Sequence, residues 1–160
     1  MVTSSAVIEW QRSDAGFLER RYSRAHEWRF DGGVVVPASS SPEIVPSPYS
    51  NRANVDPEEA FVASLASCHM LWFLELAARA GVRVDRYTDE ASCLLETRQD
   101  KTQWISRVVL RPHTILDAST GFSQSDLDAL HEKAHHACFL ANSVKCEIIT
   151  EATFELAGDE

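Results

Sequence analysis

The stretch "DPEEAFVASLASCHMLWFLELAARAG", residues 56–81, constrains the chain more than any other. Asp56 can cap a helix, Pro57 suits its first position, and Glu58 and Glu59 favour its positive end. Arg79 followed by Gly81 closes it, so the pattern predicts a helix over 56–80. Its apolar residues point to more than one side: Phe61, Val62, Leu65, Leu71, Trp72, Phe73, Leu74 and Leu76. A chain of 160 residues with a few strands and one other helix cannot cover both sides, which predicts an obligate homodimer. Cys68 falls on the stripe of Phe61, Leu65, Trp72 and Leu76, where it can be core filler, metal ligand or nucleophile.

The rest of the chain reads as one domain, 1–160, arranged around that helix. Residues 1–36 are N-terminal strands: "AVIEW", then "YSRAHEWRFDGGVVVP", with aromatics, an Asp-Gly-Gly turn and a valine run, the signs of a hairpin. Residues 37–54 carry Pro37, Pro42, Pro46 and Pro48, with five serines among 39–50, and predict an extended surface loop long enough to serve a site or interface. Residues 86–112 form a strand pair, 86–98 and 103–112, around "TRQDKT". "SQSD" at 123–126 is a capping box opening a helix over 123–140, and 144–156 alternates as a final strand with one wet face. Strands, long helix, strands, helix, strand is an α+β order with mostly antiparallel pairing.

Composition narrows the function. Hydrophobic residues at 44% and charged residues at 24% are those of a globular protein, and a net charge of −9 argues against nucleic acid or an anionic membrane as partner. The N-terminus has no basic region leading into an apolar run, and the most apolar stretch, 70–80, is interrupted by Glu75 and Arg79. The expectation is a cytoplasmic chain, in which Cys68, Cys93, Cys138 and Cys146 serve packing, metal binding or redox chemistry rather than a permanent disulfide framework.

Cys93, in phase with Ala91 and Leu95, and Cys146, between Val144 and Ile148, read as buried small hydrophobes. Cys68 and Cys138 differ, since each lies in a helix beside titratable groups. His69 follows the first; His131 and His135 share the stripe of the second in "HEKAHHAC". An imidazolium near a thiol increases its thiolate fraction, and a second thiol can resolve an oxidised first one. The same residues could instead supply a tetrahedral zinc site, and core packing is a third reading for the cysteines. His113, His131 and His136 read as solvated and His26 as a strand-surface residue. No Ser–His–Asp pattern and no phosphate-binding glycine loop is present.

Two motifs carry a family likeness. "DPEEAFVASLASCHMLWFLELAARAG" resembles the first cysteine helix of the osmotically induced protein C and organic hydroperoxide resistance family. "KAHHACFLANSVKCEIIT" resembles its second cysteine helix and following strand. The order of elements and the seventy residues between Cys68 and Cys138 agree. The resemblance implies an OsmC-like fold, antiparallel sheets packed around the long central helix in an intertwined homodimer, with composite active sites at the subunit interface. It implies a peroxidatic Cys68, a resolving Cys138, a glutamate at Glu58 and an arginine from the N-terminal strands. Arg20, Arg21 and Arg24 all lie near that place. Arg24, inside the strand-like "YSRAHEW", is the choice. Phe139 stands where many members have proline, and His69-Met70-Leu71-Trp72 is bulky, so the pocket is expected to have its own shape.

The function implied is thiol-dependent reduction of organic hydroperoxides in oxidative stress defence, with an external dithiol, in the family often a dihydrolipoyl protein, as reductant and no cofactor or metal. Glu58 and Cys68 stand about 15 Å apart along one helix, at ~1.5 Å per residue, so their side chains cannot meet directly. A spanning arginine, a bend, or a glutamate from the partner subunit is required. The alternatives are a dimer of this fold that binds a small apolar ligand with inert cysteines, and a His/Cys zinc protein.

Overall fold

The computed structural model describes residues 2–13 and 16–157. Helix α1, Pro57–Arg79, starts where its capping signals place it. The Asp56 Oδ1 accepts the Glu59 N–H at 2.8 Å while Glu59 Oε2 accepts the Asp56 N–H at 3.1 Å, so cap and first turn satisfy each other's donors. Gly81, at φ +74°, ends the helix in the left-handed region that a side chain would strain. The buried line is Val62, Leu65, Cys68, His69, Phe73 and Ala77. It is rotated from the predicted stripe: Phe61, Trp72 and Leu76 are only partly buried. The helix is long and apolar enough to cross a membrane, yet 33% of its most apolar window is buried, and Leu71 stands 61% exposed.

The chain divides into two compact units, Met1–Phe61 and Val62–Glu160. In the first, β1 (Ala6–Glu9), β2 (His26–Phe30) and β3 (Val35–Ala38) form an antiparallel sheet in the order β1-β2-β3, with Ile8 opposite Trp28 and Trp28 opposite Val36. The β2–β3 hairpin turns through Asp31-Gly32-Gly33, as the sequence predicts. The proline- and serine-rich loop is folded back instead of extended. The Ser39 N–H donates to the Val55 carbonyl, the Val55 N–H to the Pro37 carbonyl, and buried Ser39 Oγ accepts the Asn51 N–H at 3.0 Å.

In the second unit two three-stranded sheets accompany helix α2, Gln124–Ala137. One has the order β4-β7-β9 (Val84–Asp89, Pro112–Leu116, Thr153–Leu156) and the other β5-β6-β8 (Ser92–Thr97, Gln103–Leu110, Glu147–Thr150). The pairs β4/β7 and β5/β6 are antiparallel; β7/β9 and β6/β8 are parallel. The predicted strand over 144–156 is therefore two strands, one in each sheet. Its apolar–polar alternation survives the step at Glu151, which is why the sequence reads as one run. The 86–112 pair divides likewise, into four strands. At the β6–β7 junction the Arg111 N–H donates to Asp89 Oδ1 at 2.7 Å and its Nε to Glu151 at 3.0 Å.

Helix α2 opens with the predicted box: Ser123 Oγ accepts the Asp126 N–H and the Asp126 carboxylate accepts the Ser123 N–H. It stops at Ala137, so Cys138 is the C-terminal cap, one residue past the helix, where the sequence pattern predicts a helix running on to 140. Phe73 and Ala77 of α1 and Leu127, Leu130 and Ala134 of α2 form the core between the two helices. Burying a ring the size of Phe73 is worth ~1.5–3 kcal/mol, which makes this contact a main anchor of the unit.

Candidate active site

Cys68 and Cys138, seventy residues apart in sequence, meet. The Cys138 thiol donates to Cys68 Sγ at 2.8 Å, and the two residues are 7% and 1% exposed. The separation exceeds the ~2.05 Å of a disulfide, so these are two sulfurs in contact, a short closure away from a bond. Their surroundings differ. Cys68 lines an apolar cleft of about 320 Å3 with Ser64, Ser67, Leu71, Trp72 and Phe139, and Cys138 does not line it. Burial, and then its contact with Cys68, push the Cys138 thiol up to about 11, so it keeps its proton and remains a donor. The reachable sulfur is the one that accepts. That polarity suits Cys68 as nucleophile and Cys138 as the thiol that answers it.

Arg24 and Glu58 line a second cavity, of about 530 Å3, within the N-terminal unit. Its aromatic wall is Trp10, Phe17 and Tyr22, with ring centroids 4.7–5.8 Å apart. Arg24 lies just before β2, not inside the strand. Its guanidinium sits 3.8 Å over the Tyr22 ring and donates to the Arg20 and Tyr22 carbonyls, while its backbone N–H donates to the Tyr49 carbonyl. These contacts orient the cation without a carboxylate among them. Arg20 and Arg21 are exposed and do not line the cavity. Burial raises Glu58 above the ordinary carboxylate range, and Asp56 and Glu59 add to the effect.

A third grouping was invisible in the sequence. His131, expected to be solvated, is 3% exposed, and His69 is 2% exposed. His69 Nε2 and His131 Nδ1 are 2.8 Å apart, with the rings parallel to within 1°. Burial holds His69 down at about 4, with His135 adding to it, and His131 at about 3, with His69 adding to it. Both are neutral at pH 7. The stripe His131–His135–Cys138 had suggested metal ligands, but His131 Nδ1 faces His69, and among the described residues no three His, Cys, Asp or Glu side chains gather to hold an ion. No sequence signal pairs residues 62 positions apart; only the helix packing does.

Cys93 and Cys146 are half-buried, Cys93 opposite Val108 on the β5–β6 ladder. Burial raises Cys146. Cys93→Ala and Cys146→Ala are expected to cost about 1 kcal/mol in urea unfolding and to leave the iodoacetamide reactivity of the Cys68 thiol unchanged. A folded variant of either that changes it would mean that the reactive pair is a different one.

Comparison with known proteins bears on the fold that carries these residues. The sequence pattern of the OsmC-like protein family matches residues 50–153. An OsmC-like protein of unknown function from Vibrio cholerae is 45% identical, with a TM-score of 0.91 over 96% of this chain and 100% of that one. An organic hydroperoxide resistance protein from Legionella pneumophila superposes with a TM-score of 0.69 at 17% identity, over 97% of this chain and 98% of that one. The organic hydroperoxide resistance protein OhrB of Bacillus subtilis does so at 0.67 and 17%, over 96% and 98%. At such identity the last two share the fold. No curated protein matches the chain in sequence.

Proposed function

The chain belongs to the OsmC-like protein family, and from that premise we propose that it is a thiol-dependent peroxidase that reduces organic hydroperoxides to alcohols. The observation that carries this reading is the Cys138–Cys68 contact at 2.8 Å with only Cys68 on the cleft. The Cys68 thiolate attacks the terminal peroxide oxygen, which leaves an alkoxide that takes a proton and departs as alcohol. Cys68 becomes a sulfenic acid. The Cys138 thiol attacks it, a disulfide forms and water leaves. An external dithiol then exchanges with the disulfide, is itself oxidised, and returns both thiols. The cycle needs no cofactor and suits the cytoplasm, where such dithiols are kept reduced. The apolar lining of the cleft by Leu71, Trp72 and Phe139 favours an organic group on the peroxide.

Arg24 and Glu58 serve the same chemistry from a second copy of the chain. A cation is needed to hold the thiolate and to meet the charge on the departing oxygen, and Arg24 is a preoriented one. Glu58 orients it. Ten helical residues, about 15 Å of rise, separate Glu58 from Cys68, which favours a glutamate contributed by the partner. The uncovered apolar residues of α1 and of β1, Leu71 at 61% and Val7 and Ile8 at 60%, are the surface such a partner would cover. Sedimentation at micromolar concentration is expected to give a homodimer; a stable monomer would overturn the composite site.

The activity is tested by peroxide consumption with cumene or tert-butyl hydroperoxide and with hydrogen peroxide, each with dihydrolipoamide, dithiothreitol or thioredoxin as reductant. Organic peroxide is expected to be consumed faster than hydrogen peroxide, one dithiol per peroxide. No consumption by fully reduced protein would favour a ligand-binding dimer with inert cysteines.

A further inference from the structure

Beside the apolar core they share, α1 and α2 with its cap are tied by two polar side-chain contacts. On α1 they are made by consecutive residues, Cys68 and His69; on α2 and its cap they are made by Cys138 and His131, seven residues and about 10 Å apart. One contact alone would let α2 pivot about it, whereas two separated ones set the crossing. The histidine bond is also demanding. One ring nitrogen must donate and the other accept, a match that two neutral imidazoles make and two charged ones cannot. The site enforces it by burial and by stacking His131 on Phe73 at a centroid distance of 4.2 Å, with the Tyr87 ring 6.5 Å away.

From this we infer that His69 and His131 are positioning residues: their hydrogen bond sets the helix crossing that holds Cys138 against Cys68. The inference deepens the peroxidase reading, since it concerns the step in which the Cys138 thiol displaces hydroxide from the Cys68 sulfenic acid to give disulfide and water. Neither imidazole is required to touch the sulfurs. A displacement of about 1 Å at a reacting pair lowers a rate or closure constant roughly 100-fold, so a small change of crossing has a large readout.

The test uses thiol–disulfide exchange, with no peroxide present. Reduced protein and glutathione disulfide are equilibrated against protein disulfide and two glutathiones, and the constant measures how well the two sulfurs are placed. His131→Phe keeps a ring on Phe73 and loses the nitrogen. It is expected to lower the constant 10- to 100-fold, while iodoacetamide alkylation of Cys68 in a Cys138→Ser background changes less than about threefold. His131→Asn, with an amide near the Nδ1 position, is expected to recover the constant to within about threefold of the parent. Should His131→Phe fail to fold, His69→Met removes the same bond from the other helix and is read in the same way. An unchanged constant in folded His131→Phe or His69→Met, or an equal loss in folded His131→Asn, overturns the inference. A parent protein inert to peroxide but with the expected exchange behaviour would strike the peroxidase reading and leave this one standing.

Discussion

Cys68→Ser is expected to abolish peroxide consumption, by roughly 10^3-fold or more, whereas Cys138→Ser is expected to consume one equivalent to sulfenic acid, or two where excess peroxide takes it to sulfinic acid, and then to stop. The two losses are expected to differ because the two sulfurs are differently placed. Without Cys68 the cleft holds no nucleophile, and the remaining thiol lies under it, 1% exposed and held protonated by burial. Without Cys138 the first attack still occurs, but nothing closes on the sulfenic acid, and excess peroxide carries it to the irreversible sulfinic state. Titrating each reduced variant with limiting organic peroxide, followed by mass spectrometry of the protein, separates these outcomes. Equal reactivity in both variants would end the assignment of roles. Full activity in either would end the thiol cycle.

Acid is expected to weaken the fold through the buried histidines. They stay neutral in the native protein down to about 4 for His69 and about 3 for His131, whereas an unfolded chain takes up those protons near 6.5. Below that value the unfolded state binds more protons than the native one, so stability is present in full above pH 6.5 and is lost as pH falls toward 4. Between pH 7.5 and 5 the loss is on the order of 2 kcal/mol for each histidine. That window lies above the ordinary carboxylate range, so Asp and Glu in ordinary surroundings contribute little to it, and Glu58 and Asp89, which burial raises, act against the loss by taking up protons in the native state. Urea midpoints measured across it are expected to fall steeply, and the slope is expected to flatten in a His69→Met, His131→Phe protein. A parent whose midpoint is level from pH 7.5 to 5 would show that these rings are not buried as neutral groups.

The elements that speak in local grammar were readable in the sequence. The Asp56-Pro57-Glu58-Glu59 opening, Gly81, the Asp-Gly-Gly hairpin and the Ser123 box each depend on neighbours a few residues away, and each stands where it was expected. The two cysteine helices were readable through a family likeness, not through spacing, since nothing local brings Cys68 to Cys138. What failed was long-range. His131 reads as solvated in the sequence, but His69 supplies a partner for its Nδ1 from another helix and offsets part of the cost of burial, while its Nε2 is buried with no hydrogen-bond partner among the described residues. The rotated face of α1 has a similar cause. With apolar residues on several sides, periodicity could not say which of them Phe73 and its neighbours would claim. The break at Glu151 was hidden because a strand that steps from one sheet to the next keeps its alternation.

That step has a consequence for how the protein is made. Residues 147–156 supply the third strand of both sheets of the C-terminal unit, β8 beside β6 and β9 beside β7. During synthesis β6 and β7 emerge some thirty residues or more before their parallel partners. Until then each sheet is a bare two-stranded ribbon, marginal in water, with an open edge ready to pair with another nascent chain. The unit therefore cannot close progressively from its N-terminal side. It waits for one short ribbon, and the interval before that ribbon emerges is when aggregation competes most strongly with folding.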